Sequence, residues 1–341
     1  MATNITNISS SSIYLTSHLP ENIYVGTTEN SIEFMVYVDG DKVFSSVYYP
    51  YNQVVCVRDI RSIVEAAMLD QQLSIAELTL EAKQSDGASS CVEDVHVICS
   101  SFKTTQGTEA FLRSHFLTTR KSALVPKDGF VDLYNYTKAY EQGNNFSRIY
   151  YTFSYTPGEV FTYKYDSSKV QSETSRVIHN RLTRAFFEDL LWDALDIQHC
   201  IVIAAEYHIG SRQFNVFFTD GTPSDEFSFL NAFNVPERLY LFGATTTKTQ
   251  VSRSEAVCGR KTKFYDESVS VIHEVETAPM PYNEAMWLSQ MFTAKWVTRI
   301  ISEETSATVL ISDITSEVTD SAKELIKLKF SWKYAEGTEW V

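Results

Sequence analysis

The clearest alternation of hydrophobic and polar residues lies near the C-terminus, in Ser268–Tyr334. In Val269–Val275 every second residue shares one mostly apolar side of an extended chain, which predicts a half-buried strand. After Pro281 the apolar spacing changes to three and four residues, which predicts a short helix with Glu284 in its first turn. The apolar stripe of this helix is formed by Ala285, Leu288, Met291 and Phe292, with Trp287 on its flank.

Three further strands are predicted after this helix, at Trp296–Ile301, Thr308–Ile311 and Leu325–Tyr334. In the last of them the apolar and polar side chains lie on opposite faces, which is typical of an antiparallel sheet with one solvated face. The apolar face is formed by Ile326, Leu328, Phe330 and Trp332, and the polar face by Lys327, Lys329, Ser331 and Lys333. We therefore expect residues 241–341 to form an antiparallel sheet or split barrel that carries one helix.

Residues 13–100 show the pattern of a β-sandwich domain, preceded by a polar segment at 1–12 that we expect to be a flexible arm. Two strand patterns meet at Asp39-Gly40, a dipeptide that accepts the positive φ angles of a tight hairpin turn. A helical stripe follows Asp59, a residue type that suits an N-cap. The strands are predicted at Ile32–Val38, Lys42–Tyr49, Leu73–Ala82 and Val92–Ser100, and the stripe is Ile60, Ile63, Val64, Ala67 and Met68.

Residues 101–240 are predicted to form a second β-rich domain with helices. Helical patterns occur at Glu109–Thr118 and within 175–196, and the second of these can begin as a strand. Turns are predicted at Pro126–Gly129 and at Pro157-Gly158. Strand patterns occur at Ile149–Tyr155, Glu159–Tyr165, Ile201–Ile209 and Gln213–Thr219. The fold class expected for the whole chain is thus mainly β with minor α, and its 19 Tyr and 21 Phe against only 12 Gly favour strands.

The formal charge of −14 is concentrated in the first hundred residues. Residues 1–100 hold 4 Lys or Arg against 13 Asp or Glu, a net of −9, whereas 101–240 and 241–341 carry only −2 and −3. This balance argues against nucleic acid as a partner, because replacing phosphate counterions requires a basic patch. The chain has no apolar run long enough to cross a membrane and no secretory signal, so we expect it to stay in a cytoplasm until it is used.

No catalytic, cofactor-binding or metal-binding signature is found in the sequence. The nearest approach to a metal cluster is Cys91, His96 and Cys99, but a strand places the two cysteines on one face and the histidine on the other. His273 lies on the apolar face of its strand and is interpreted as a hydrogen-bonded core or interface histidine. The five cysteines are odd in number and scattered, as expected of reduced thiols; they are Cys56, Cys91, Cys99, Cys200 and Cys258.

The segment Ala244–Lys263 is basic and rich in Thr and Ser, and Glu255 is its single acidic residue. It is a candidate inter-subunit arm or hairpin, and the acidic first domain is an electrostatically matched target. Deletion of this segment is expected to prevent assembly. The basic residues of the candidate arm are Lys248, Arg253, Arg260, Lys261 and Lys263.

Two stretches resemble a known family. The first is Phe227–Tyr240. The second runs from Thr246 through Tyr265-Asp266 and Glu274–Pro279 to the helix at Asn283–Leu288 and the terminal strand. Both are similar to segments of β-rich tail or baseplate proteins encoded by phages and prophages of gut Bacteroidetes, which often have Gly where Asn234 stands. The order of elements in the last hundred residues is also similar to tail-tube and distal-tail folds.

This resemblance covers roughly residues 200–341 and implies a structural virion protein, present in the host cytoplasm before assembly. Its partners would be copies of itself, in a ring of about three or six, and other virion tail proteins. The family offers no catalytic residues to transfer, and Pro281 replaces the Thr expected there as the helix cap.

Two other functions stay open from the sequence. A carbohydrate- or receptor-binding module of a virion or bacterial surface would use the aromatic runs at Tyr48–Tyr51 and Tyr151–Tyr165 as a stacking face. A hydrolase whose site is assembled from distant carboxylates needs no local motif.

Overall fold

The computed structural model describes residues 3–10, 12–84, 90–137, 148–155, 158–166, 176–196, 200–315 and 325–336. Within them the chain forms twenty-two strands and four α-helices. The protein is therefore mainly β, as predicted, and its strands are grouped in five sheets. Pro157 of the predicted Pro157-Gly158 turn lies outside the described residues.

The first structural unit is a β-sandwich. Its elements are β1 Asn4–Thr6, β2 Ile13–Leu15, β3 Ile23–Gly26, β4 Ile32–Val38, β5 Asp41–Tyr48, β6 Val54–Val57, α1 Ile60–Asp70, β7 Ile75–Gln84 and β8 Ser90–Ile98. One sheet has the order β2-β8-β7-β4-β5 and the other the order β1-β3-β6. The predicted hairpin turn is confirmed, since Asp39 and Gly40 have φ angles of 49° and 84°.

Two local predictions for this unit are wrong. Part of the expected flexible arm forms β1, which pairs with β3 and buries Ile5, while Ile8 is buried beside it. Two isolated isoleucines in a polar segment are too short a pattern to reveal a strand. Asp59 does precede α1, but it has a φ of 62° and its side chain makes no capping hydrogen bond.

The second unit contains two sheets, of the orders β12-β11-β14-β15-β9 and β10-β13. The helix predicted within 175–196 begins directly after a strand, as anticipated, and the Thr183 hydroxyl caps it by accepting a hydrogen bond from the Phe186 N–H at 3.0 Å. The elements are α2 Thr108–Ser114, β9 Ser122–Pro126, β10 Phe130–Thr137, β11 Arg148–Tyr155, β12 Glu159–Asp166, β13 Arg176–Thr183, α3 Arg184–Leu195, β14 Val202–Ile209 and β15 Arg212–Thr219.

Helix α2 ends at Ser114, four residues before its predicted end at Thr118. The buried Arg212 explains why the helix can stop there, because its guanidinium donates hydrogen bonds to the carbonyls of Leu112 and His115. These carbonyls would otherwise have no partner within the helix, because the last carbonyls of a helix lack intrahelical donors.

The third unit is a seven-stranded antiparallel sheet that carries one helix, which matches the fold predicted for the C-terminal region. Its strand order is β17-β16-β20-β21-β22-β19-β18. The elements are β16 Asp225–Leu230, β17 Pro236–Leu241, β18 Gly243–Cys258, β19 Lys261–Thr277, α4 Tyr282–Thr293, β20 Val297–Ile300, β21 Ser306–Thr315 and β22 Lys329–Tyr334.

This sheet differs from the sequence-based picture in three respects. It begins at Asp225, so the expected boundary at 240/241 falls inside it. Trp287 is buried in the core rather than on the flank of α4, because Phe229 packs against that side of the helix at a ring distance of 5.5 Å. Ser331, expected on the wet face of the last strand, is also buried.

The loop between β16 and β17 holds the three units together. Phe233, at its tip, is buried in a cluster with Leu15 and Ile98 of the first unit and Phe111 and Tyr136 of the second. The neighbouring Asn234 has a φ of 55°. Its side-chain amide donates to the carbonyls of Met68 and Leu73, at 3.1 and 3.0 Å, and so closes the C-terminal end of α1. The loop therefore belongs to the third unit but completes the packing of the other two.

We expect the Asn234→Gly variant to lose about 1–2 kcal/mol of stability, because glycine accepts the positive φ but leaves the two carbonyls without their donor. The Asn234→Ala variant should lose roughly 1 kcal/mol more, because alanine is also strained at this φ. Urea unfolding of both variants measures the difference. Equal stabilities of the Gly and Ala variants would contradict the role of the backbone angle.

Candidate assembly interface

The hairpin of β18 and β19 extends beyond the body of the third unit. Strand β22 pairs with β19 only over His273–Glu276, and β18 is the edge of the sheet. From the Lys248↔Ile272 pair to the Cys258↔Lys261 pair, the two strands pair only with each other among the described residues. This part, residues 248–272, is called the ribbon below. At about 3.4 Å per residue it is roughly 35 Å long.

The tip of the ribbon is a tight turn followed by a bulge. Gly259 and Arg260 have φ angles of 58° and 65°, as in the two-residue turns that suit the twist of a hairpin. The register then shifts, since Ser254 pairs with Asp266 whereas Glu255 pairs with Phe264. Tyr265 is therefore the extra residue of a β-bulge.

The five basic residues predicted for an arm all lie on this hairpin, but they form two groups. Lys248 and Arg253 are each matched by a cross-strand carboxylate, at 2.6 Å from Glu274 and 3.1 Å from Glu267. The others lie at the tip and make no ion pair with any residue that the structure describes. This second group is Arg260, Lys261 and Lys263. Only the tip therefore offers unneutralised positive charge.

The two faces of the ribbon differ, because residues opposite each other in a ladder point to the same side. One face is mostly polar, and the other, called the apolar face, carries most of the large apolar side chains. The polar face carries Ser252, Ser254, Ser268 and Lys263 among others. The apolar face is exposed, with Val257 at 77% and Phe264 at 58% accessibility. Its apolar side chains are Val251, Val257, Phe264, Val269 and Val271. The Arg253–Glu267 ion pair and Glu255 lie among them, with the Arg253 guanidinium 5.2 Å from the Phe264 ring.

This apolar face is the continuation of a core face. Val275 and Thr277 lie on the same side of β19 and are buried in the third unit. His273 marks the border: it is half-buried, its ring stacks on Trp332 at 3.9 Å, and its Nδ1 lies 3.1 Å from the Thr247 hydroxyl. The interpretation of His273 as a hydrogen-bonded core or interface residue is thus confirmed.

The apolar face has no local period in the sequence. Each strand of the ribbon is rich in Ser and Thr, and its valines are two to six residues apart. Their common orientation depends on the register of the pair, and the bulge at Tyr265 changes the phase within β19. The alternation in Val269–Val275 was the one available signal, and it identified the base of the hairpin.

The first unit presents a complementary acidic surface. On the large sheet, the residues between the core-facing positions form an outer face in which Glu33 pairs with Val47, Glu81 with Val92 and Thr79 with Asp94. We call this the acidic face; its carboxylates are Glu33, Glu77, Glu81 and Asp94, which outnumber the two lysines on the same face, Lys42 and Lys83. The exposed Val47 and Val92 lie among them.

The described residues contain no group of three or more His, Cys, Asp or Glu side chains placed to hold a metal ion. Cys99 is buried after the end of β8, and burial raises the pKa of its thiol to about 12. All five cysteines are unpaired. Among the residues that the structure covers, the longest helices are too short to cross a lipid bilayer.

No family model and no curated protein matches the chain. Solved structures with some likeness include the fibronectin(III)-like modules of Clostridium thermocellum CbhA, with 10% identity, 64% of this chain and 94% of that chain covered, and a TM-score of 0.18. The plexin A4 extracellular region has 7% identity and a TM-score of 0.22, with 99% of this chain and 40% of that chain covered. The four N-terminal Ig domains of Dscam1 have 7% identity and a TM-score of 0.16, with 97% of this chain and 98% of that chain covered. At these TM-scores the likeness carries no information on function.

Proposed function

We propose that this protein is a structural component of a phage tail or baseplate that assembles through its ribbon. The observation that carries the proposal is the exposed apolar face of the ribbon. An isolated two-stranded hairpin is marginally stable in water, and exposed Val and Phe side chains gain free energy when they are buried. The ribbon is therefore built to pack against another molecule. The tail or baseplate setting rests on the sequence resemblance of residues 200–341.

The partner that fits is a second copy of the chain. The ribbon tip carries Arg260, Lys261 and Lys263 without matching carboxylates, and the acidic face offers Glu33, Glu77, Glu81 and Asp94 with two exposed valines. A contact between these unlike surfaces is heterologous, and repetition of such a contact closes a ring or builds a stack. Opposite charges steer the two surfaces together and fix their register.

Shortening of the ribbon should abolish assembly and leave a folded monomer. Removal of Thr249–Val271 and connection of Lys248 to Ile272 by Asn-Gly keeps the paired base and supplies a turn of the correct type. This change is confined to the ribbon, whereas deletion of Ala244–Lys263 would also remove the sheet edge inside the third unit. Mass photometry gives the copy number, and circular dichroism checks the fold.

A variant that keeps the full length of the ribbon but alters one face tests whether that face, and not the length of the ribbon, is needed for assembly. The triple variant Val251→Thr, Val257→Thr, Phe264→Thr is expected to lose assembly, whereas the matched variant Ser252→Thr, Ser254→Thr, Ser268→Thr on the polar face should keep it. Isolated single copies of the unaltered protein, or rings that survive shortening, would refute the role of the ribbon. Cryo-electron microscopy of purified particles tests the virion setting independently.

A further inference from the structure

The small sheet of the first unit exposes an aromatic and polar surface on the side of the sandwich opposite to the acidic face. Direct pairing aligns Tyr51 with Val54, Val54 with Gly26 and Gly26 with Asn4, so these four residues form one row across the sheet. The next row on the same side contains Cys56, Tyr24 and Thr6. We call this the tyrosine face.

Two tyrosines provide flat platforms on this face. Tyr51 is 82% accessible and Tyr24 is 43% accessible, so each presents its ring to solvent. From the spacing of strands and residues, the Cα atoms of the two tyrosines are roughly 12 Å apart. That span suits a linear chain of several sugar rings better than a single ring.

A glycine and a polar side chain lie between the platforms. Gly26 has no side chain there, and a Cβ atom at that position would lie 2.5 Å from Oδ1 of Asn4. The Asn4 amide therefore lies across the glycine, and it has no hydrogen-bond partner among the residues that the structure describes. It can donate to and accept from a ligand at the same time. The Thr6 hydroxyl, which donates to the Tyr24 carbonyl, lies beside it and can still accept.

We propose that the tyrosine face binds a neutral linear oligosaccharide. The apolar C–H faces of sugar rings pack on Tyr51 and Tyr24, while their hydroxyl groups bond with the Asn4 amide and the Thr6 hydroxyl. A neutral ligand is indicated because neither row contains a charged side chain. A protein partner would instead require a broader apolar surface than two separated rings and one valine.

The rims of this surface support the same ligand class. Asn52 and Gln53, at the exposed turn beside Tyr51, have positive φ angles of 51° and 65° and present amide side chains to solvent. Binding sites of this kind combine a few oriented polar groups with aromatic walls. Sugar binding in this place does not depend on the assembly proposed for the ribbon, since the two surfaces are on different units.

Saturation-transfer-difference NMR with maltotriose, cellotriose and triacetylchitotriose tests the proposal on the full chain. We expect at least one trisaccharide to bind, and its affinity to fall tenfold or more in Tyr51→Ala and in Tyr24→Ala. Both rings are exposed, so the thermal stability should not change. Asn4→Ala should weaken binding less, by several-fold. The matched control is Tyr265→Ala, a tyrosine on the ribbon whose exposure of 70% lies between those of Tyr24 and Tyr51; this variant should bind like the unaltered protein.

Three outcomes would overturn the proposal: no signal from any of the three trisaccharides, binding that survives the Tyr24→Ala, Tyr51→Ala double variant, or equal weakening by Tyr265→Ala. The variant with the shortened ribbon should bind sugar normally although it does not assemble. Loss of sugar binding in that variant would place the site on the ribbon and would also refute the assignment to the tyrosine face.

Discussion

Replacement of Glu237 by alanine should lower the free energy of unfolding by about 3–5 kcal/mol, the cost of leaving a buried charge without its partner. Glu237 is 4% accessible and lies between the second and third units. Its Oε2 is 3.0 Å from Nε of the buried Arg120 and accepts a hydrogen bond from Trp287 Nε1, while Asn231 Nδ2 donates to its Oε1. Burial lowers the pKa of Arg120 and the Glu237 charge raises it, so the variant would leave a desolvated cation without its ion-pair partner. The Glu284 charge and the Trp287 ring, 4.2 Å away, would remain beside it.

The matched control is Glu267→Ala on the ribbon. Glu267 pairs with Arg253 at a similar distance of 3.1 Å, but both side chains are about half exposed. Exposed pairs of this kind contribute about 0–1 kcal/mol. Urea unfolding followed by circular dichroism compares the two variants. Equal losses would show that the Arg120–Glu237 pair is not held in a desolvated site.

Truncation of Leu288 or Phe330 to alanine should cost about 2–5 kcal/mol each. Leu288, on α4, and Phe330, on β22, are both buried in the core of the third unit, as the sequence predicted. The ring of Phe330 lies 5.3 Å from that of Phe292 and 6.5 Å from that of Phe227, so its removal leaves a cavity bordered by aromatic rings.

Met286 and Leu325 are suitable controls, since they are exposed residues of the same helix and of the segment before β22. Their alanine variants should change stability by less than about 0.5 kcal/mol. Thermal unfolding of all four variants is the measurement. Changes within error for both Leu288→Ala and Phe330→Ala would show that the helix does not pack on the sheet as described.

The parts of the fold that the sequence predicted are those in which a local period reports burial. Alternation at Ile326–Trp332 reports one buried face of a sheet, and the stripe at Ile60–Met68 reports one buried face of a helix. Trp287 is buried although it lies outside the apolar stripe of its helix, because Phe229 on β16 covers that side of the helix. Burial that depends on a distant segment has no local period.

The positive charge of the ribbon tip could be predicted from the sequence, but the apolar face of the ribbon could not. Arg260, Lys261 and Lys263 are adjacent in sequence, so their basic tip was visible. The apolar face needs the pairing of Val251 with Val269 and of Glu255 with Phe264, and therefore a register that a bulge changes midway. The tyrosine face is similar, because Tyr24 and Tyr51 share a side only through the strand β6 between them.

The hydrogen bonds of Asn234 also determine when the first unit can be completed during synthesis. The Leu73 carbonyl cannot accept this hydrogen bond until Asn234, which is 161 residues further along the chain, has been synthesised. At ribosomal rates of about 5–20 residues per second, this delay is roughly 10–30 s. During that time the apolar side of Leu15 and Ile98 has no cover from Phe233. The nascent chain would thus expose this apolar surface until the segment with Phe233 and Asn234 has left the ribosome.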